Sequence, residues 1–432
     1  MGICYSLHDG FYMISNSIRI ISQRRGECSM VLTILLIIIY LAFISLGLPD
    51  SLLGSAWPTM YPTMRVPISF AGIVSMIIAG GTIVSSMFSD KLIKKFGTGL
   101  VTVISVLLTA GALVGFSFSR EYYQLCIFGI PLGLGAGSVD AALNNYVALH
   151  YKAKHMSWLH CFWGIGAMTG PIIMSYCLES GAIFQLGYRI VAIIQFILLA
   201  ILIFTLPLWK KVLNISNTAF INEQNDNKDV VKEQKSLKLT EVIKLTGAKQ
   251  ALIAFFCYCS IEATTGLWGS SFVVRTYGIP AETAAKWTSF FYFGITFGRF
   301  ISGFITYKLN NRKMVRLGEA FIAFGIILLL LPLNNITLLI GFIMIGIGCA
   351  PIFPSLLHET PVNFGKEYSQ SIMGIQMASA YVGSTLIPPL FGAIASAIGY
   401  NIMPIFIGSI LVLMFIMVEI LNRKVDSKKV IG

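Results

Sequence analysis

The stretch KVLNISNTAFINEQNDNKDVVKEQKSLKLTEVIKLTGA, residues 211–248, is the only long polar run inside an otherwise apolar chain. Rich in Lys, Asn, Asp and Glu, it cannot bury enough apolar area to fold by itself, so it reads as a solvated connector. What flanks it decides the fold. Six apolar segments precede it, near 31–56, 68–88, 98–118, 123–147, 158–178 and 188–209, and six follow, near 250–275, 284–307, 314–332, 336–357, 368–394 and 400–421. A helix needs about 20 apolar residues to cross the hydrocarbon core. The composition agrees, with 56% hydrophobic and only 12% charged residues among 432 and a mean hydropathy of +0.79, where a soluble domain carries about 25% charged residues. Lipid offers bare backbone no hydrogen-bond partner, so such a chain must be a helical bundle.

The net charge of +12 invites a nucleic-acid reading, but the placement of the basic residues favours membrane topology. With the N-terminus inside, Lys91, Lys94, Lys95, Lys152, Lys210, Lys244, Lys308, Arg312, Lys366 and Arg423 share one side with most of the other lysines and arginines. The opposite side holds only Arg65, Arg120, Arg189, Arg275 and Lys286, and Arg299 lies inside the eighth segment. Both termini are therefore expected in the cytoplasm, and no nucleic-acid partner is expected. The eight cysteines include no CxxC pair, which favours neither a disulfide nor a metal site. Residues 1–30 read as an N-terminal extension without helical period, and Met30, at the head of the first span, is a candidate translation start. MGICYS fits a myristoylation pattern, but a weak lipid anchor adds nothing to a chain with twelve spans.

The halves also repeat at an offset of about 213 residues. GLGAG at 133–137 matches GIGCA at 346–350, Gly170 matches Gly383, and Gly81 and Ser86 pair with Gly298 and Gly303. Asp50 in DSLLGSAW has a loose counterpart in Glu262 of EATTGLW. The expected fold is an all-α integral membrane protein of twelve transmembrane helices in two six-helix, pseudo-symmetric bundles. The bundles span 31–209 and 250–421, joined by a cytoplasmic linker at 210–249 and followed by a tail at 422–432. Duplicated bundles of this kind belong to alternating-access transporters, which hold the solute near the midplane between repeats.

The turn after the second segment, SMFSDKLIKKFG, carries Asp90, Lys91, Lys94, Lys95 and Gly97. It resembles the loop signature of the major facilitator superfamily, an acid, basic residues and a glycine between helices 2 and 3; in the second half GFITYKLNNRK keeps Tyr307 where the acid would stand. The resemblance implies a cytoplasmic gate; Arg299, late in its segment, is expected to brace that gate or to snorkel to the interface. DAALNNYVALHYKAKHMSWLHCFWGIGAMTGP at 140–171 looks like the fucose permease-like branch, as do GIQMASAYVGSTLIPPLFG and YCSIEATTGLW. Fucose permeases use an aspartate in helix 1 for proton coupling and substrate binding, and an acid in helix 4 facing the cavity. Asp50 and Asp140 fall at the matching places.

A carboxylate at the centre of a spanning helix costs about 2.5–3.5 kcal/mol on insertion scales, so those retained mark cavities or proton paths. Asp50, Asp140, Glu262 and His160 are the candidates, the three acids for proton coupling. Asp50 follows Pro49 about 19 residues into its segment, roughly 28 Å along, toward the outer half; a capping acid at the outer interface is the alternative. Asp140 and Asn144 stand at i and i+4 on one helix face, where an acid and an amide suit hydroxyl recognition. Glu262 and Trp268 could hold a hydroxylated ring, although interfacial anchoring suits the indole equally well. A free histidine titrates near neutral pH, so His160 could relay protons or bond a neighbouring helix. Neither a phosphate loop nor a metal-ligand cluster appears, so no cofactor and no enzymatic activity are expected. The expected function is proton-coupled transport of a small hydroxylated solute, most simply a sugar, by a monomer in the plasma membrane. Proton-coupled efflux of drugs or metabolites is the alternative.

Overall fold

The computed structural model describes residues 30–151, 153–223, 239–305, 309–331, 333–365 and 368–431. The N-terminal extension and much of the polar connector lie outside the described residues. Among the described residues, twelve long helices carry the fold. The first six are α1 Met30–Thr63, α2 Ala71–Phe96, α3 Thr98–Phe118, α4 Tyr122–His150, α5 Ala153–Glu179 and α6 Phe184–Glu223. A single turn, Leu239–Val242, precedes the second set. That set comprises α7 Ala248–Tyr277, α8 Ala281–Ile305, α9 Asn311–Leu330, α10 Asn335–Phe364, α11 Ser369–Ile398 and α12 Met403–Ile431.

Local chemistry ends these helices where the sequence changes. Gly97 separates α2 from α3 at φ 77, a left-handed geometry that a Cβ resists and glycine adopts freely. Asn310 and Asn334 cap α9 and α10, their side-chain oxygens accepting from Lys313 N and Thr337 N at 3.0 Å each, which satisfies donors that a helix start leaves bare. Among the described residues, ten helices are long and apolar enough to cross a membrane. The other two are α8 and α9. The first three turns of α9 hold Arg312, Lys313, Arg316 and Glu319, and α8 interrupts its apolar run with Lys286 and Arg299. Ile193, Ile197 and Phe204 on α6 and Ile405 and Val412 on α12 are exposed, a surface suited to lipid.

The packing repeats. In the first half α2 and α3 lie on α4, α3 on α6 and α1 on α5; in the second α8 and α9 lie on α10, α9 on α12 and α7 on α11. Small residues permit the close approaches. Gly81 faces Gly133 between α2 and α4, and Gly294 faces Gly346 between α8 and α10. Likewise Gly137 presses on Ser85, whereas Gly298 presses on Ala350. This corrects the expected pairing of Gly81 with Gly298: Gly294 is the structural counterpart of Gly81, one helical turn earlier. Glycine is frequent enough in such helices that a one-turn slip leaves the sequence match nearly as good.

The halves meet through α5 and α8, α2 and α11, and α1 and α7. At the end bearing the α1–α2, α7–α8 and α11–α12 connections they are sealed. A Cβ on Gly54 would meet the carbonyls of Gly266 and Leu267, and one on Gly72 would meet the backbone of Pro389. Trp57 and Trp268, both fully buried, fasten this end by donating to Ile68 O at 2.6 Å and Pro388 O at 2.8 Å.

Candidate functional site

The site begins with a backbone problem. Pro49 has no N–H to give to the carbonyl of Ser45 four residues back. Gln195 on α6 fills the gap, its Nε2 donating to Ser45 O at 2.9 Å while its Oε1 accepts from Thr109 Oγ1 at 2.7 Å. Thus α1 continues past the proline, pauses for one residue at Ser51 and runs on to Thr63. The helix is longer than the apolar run near 31–56 suggested, which brings Asp50 away from the outer end toward the middle. Because Gln195 is buried, Gln195→Leu leaves the Ser45 carbonyl bare, while Thr109 Oγ1 keeps Val106 O at 3.0 Å, and is expected to cost about 1–3 kcal/mol. Thermal unfolding of the purified protein measures it, and an unchanged midpoint would refute this role.

From Ser45 to Pro58 every residue of α1 is buried except Asp50, which is exposed. Its carboxylate does not face lipid. Trp163 on α5 donates from Nε1 to Asp50 Oδ2 at 2.8 Å, and the indole stands edge-on to Tyr292 of α8 with centroids 6.3 Å apart. Asp50 therefore opens into the space between the halves. Glycines bring α5 this close, since a Cβ on Gly47 would strike the Trp163 carbonyl, and one on Gly166 the Ile44 carbonyl.

On the far side of the indole lies a charge pair. The Arg299 guanidinium sits 5.4 Å from the Trp163 ring centre, and its Nη2 is 4.0 Å from Glu262 Oε1, with the two side chains 16% and 19% exposed. Asp50, Trp163, Arg299 and Glu262 thus join α1, α5, α8 and α7, two helices from each half. Asp140 on α4 accepts from Asn144 Nδ2 at 2.9 Å, the i to i+4 pair expected from spacing, and its charge is felt at Asp50. His160, half-buried one turn before Trp163, meets Phe43 edge-on at 6.1 Å. Acceptors, an amide, a guanidinium and two aromatic rings around one opening are the groups that bind a hydroxylated ring.

The other expected site residues lie elsewhere. Trp268 is sealed against Phe391 and Tyr400 at centroid distances of 6.0 and 5.6 Å, so in this conformation it offers no surface to a solute. Lys91, Lys94 and Lys95 are exposed at the end of α2, with Lys91 and Lys95 over the rings of Phe88 and Phe96; the Asp90 side chain is outside the description. Arg299 lies in the last third of α8, beside Glu262 and Trp163. Sequence reading passed over Trp163, Tyr292 and Gln195, all uncharged. It also passed over Glu319 in α9, buried at 4% exposure with neither carboxylate oxygen hydrogen-bonded; a lone acid in an apolar segment was the available signal.

Two bundles of helices enclosing a polar, acid-lined opening define the class, a multi-pass membrane transporter fold. The Major Facilitator Superfamily profile matches residues 39–358 and 250–431. The chain belongs to that superfamily. It is similar to Bypass of stop codon protein 6 of Saccharomyces cerevisiae, 25% identical over 84% of this chain and 77% of the relative. Similar too are a glucose/mannose transporter of Bacillus subtilis, 21% identical over 82% of this chain and 86% of the relative, and a glucose/galactose transporter of Brucella abortus, 22% identical over 76% and 80%. Among solved structures, a peptide transporter POT in complex with alafosfalin superposes with a TM-score of 0.65 over 90% of this chain and 94% of that one, at 15% identity, a likeness of fold alone.

Proposed function

We propose that this protein is a secondary active transporter that moves a small hydroxylated solute, most simply a sugar, by proton-coupled alternating access. The observation that carries the reading is Asp50, the single exposed residue in the buried run from Ser45 to Pro58, held by Trp163 at the meeting of both halves. An acid kept in such a place is suited to taking a proton from one side and releasing it to the other. Asp140 and Glu262 are its partners in coupling, and Asn144, His160 and Trp163 supply further solute contacts. The names of the glucose/mannose and glucose/galactose relatives support a sugar, as does the resemblance to the fucose permease-like branch.

The chain crosses the plasma membrane twelve times as a monomer, both termini in the cytoplasm. The shorter apolar runs of α8 and α9 are included because they pack on α10 as α2 and α3 pack on α4. Transport proceeds by rocking of 31–209 against 250–421, with Asp90, Lys91, Lys94 and Lys95 bracing the cytoplasmic side. The sealed Trp57 and Trp268 end then faces outward, and Asp50 is reached from inside.

Proteoliposomes containing the purified protein test this with labelled D-glucose and a panel of sugars and polyols. Accumulation that rises when the outside is made acid is expected. Uptake indifferent to the proton gradient overturns the coupling, failure of every sugar and polyol to exchange overturns the solute class, and expulsion of solute against proton entry favours efflux.

A further inference from the structure

We infer that Trp163 is the positioning residue that reads the charge of Asp50 and passes it to the second bundle. The inference rests on the proton-coupled reading above and deepens it. One indole makes every contact the task needs. Its N–H goes to Asp50 Oδ2 in α1 at 2.8 Å, its edge meets Tyr292 and its face takes Arg299 of α8, 5.4 Å from the ring centre. Arg299 in turn reaches Glu262 of α7 at 4.0 Å. The next residue, Gly164, lies so close to α8 that a Cβ there would strike Thr296 Oγ1. A movement of the indole therefore bears on a close contact between α5 and α8.

Ionised Asp50 accepts a charge-assisted hydrogen bond, which is roughly twice as strong as a neutral one. When a proton from solution adds to the carboxylate, the bond becomes neutral and the negative charge at the edge of the ring whose face carries Arg299 disappears. The indole keeps its own proton throughout and loses the stronger of its two anchors. A solute hydroxyl arriving at Asp50 competes for the same oxygen, so proton and solute both release Trp163 from α1. A second bundle that follows the ring through Arg299 and Tyr292 is then free to move. Other charged or titratable groups facing this set are Asp140 on α4, His160 and Cys161 on α5, Tyr258, Cys259 and Glu262 on α7, and Cys349 on α10.

The full-length protein in lipid nanodiscs provides a readout that needs no solute. The fluorescence of the wild type minus that of Trp163→Phe isolates this indole among the six tryptophans. Its emission is expected to shift between pH 5 and pH 8 (on the order of the range in which buried acids and histidines titrate). In Asp50→Asn, with its own Trp163→Phe reference, the emission stays in the acid form at every pH, while His160→Gln leaves the shift in place. A difference spectrum without pH dependence overturns the inference, and so does a shift removed by His160→Gln and kept in Asp50→Asn. In proteoliposomes, Trp163→Phe is expected to lose acid-driven accumulation by about tenfold or more relative to its own D-glucose exchange at equal pH, the effect of about 1.4 kcal/mol, and Trp163→His, which retains an N–H, to recover part of it. Full acid-driven accumulation in Trp163→Phe sinks the inference and leaves the transport reading intact. A pH shift of Trp163 without any sugar flux does the reverse.

Discussion

Asp50→Asn is expected to reduce proton-driven accumulation to the level of vesicles without protein, while exchange of solute across the membrane continues. The reason lies in what asparagine keeps and what it lacks. Its amide has the size of a protonated carboxyl, offers an acceptor to Trp163 Nε1 and a donor to a solute, and carries no charge into the opening between the halves. Binding contacts survive. The amide cannot release a proton, so the cycle loses the step that ties solute movement to the gradient. Because Asp50 is exposed and has Asp140 near enough to feel its charge, neutralising it removes some repulsion and leaves no bare ion behind. The unfolding midpoint is therefore expected to move by no more than about 1–2 °C, the equivalent of roughly 1 kcal/mol for a chain of this length. Counterflow with equal pH on both sides, followed by uptake with an acid exterior, separates the two effects. Accumulation that persists in the variant would assign coupling to Asp140 or Glu262 instead.

The helical fold was legible because each segment announces itself without help from the others. An apolar run of about twenty residues can satisfy its backbone in lipid only as a helix, and the polar stretch at 211–248 separates six such runs from six. The candidate acids were legible for a related reason: a charge in such a run is costly and stands out. Glu319 shows the limit of attention, since the same rule applied to it. Trp163 and Gln195 show a limit of principle. An indole among many aromatics in apolar segments carries no mark of its partner, and the bond to Asp50 bridges residues 113 positions apart. Gln195 answers the missing N–H of Pro49, so the need for it was written beside Asp50 while its position on α6 was not. The same holds for Trp268, where proximity to Glu262 in sequence suggested a shared site. Six positions on, the helix has carried the indole about 9 Å toward the sealed end, where Pro388 O is its acceptor.

Glu262→Gln is expected to destabilise the protein and Glu262→Gln combined with Arg299→Gln to restore most of the loss, while neither variant transports. Removing one partner of a fully buried ion pair costs about 3–5 kcal/mol, because the remaining charge is left without compensation. Here the pair is 4.0 Å apart, with the side chains 16% and 19% exposed, so solvent in the opening softens the penalty and about 1–3 kcal/mol is the appropriate scale. Arg299 would then rest on the Trp163 face with the Tyr258 hydroxyl beside it, and a cation over an indole is worth about 0.5–2 kcal/mol. Replacing both ends with amides removes the stranded charge, which is why the double variant should unfold at a temperature close to that of the wild type. Transport does not recover with stability, because a site that bonds solute hydroxyls loses affinity when its charged partners are gone, whatever the fold retains. Thermal unfolding of the two variants together with D-glucose counterflow distinguishes these contributions. If the double variant is no more stable than Glu262→Gln, the carboxylate is held by something other than Arg299; if it transports at the wild-type rate, the pair braces the helices and takes no part in the site.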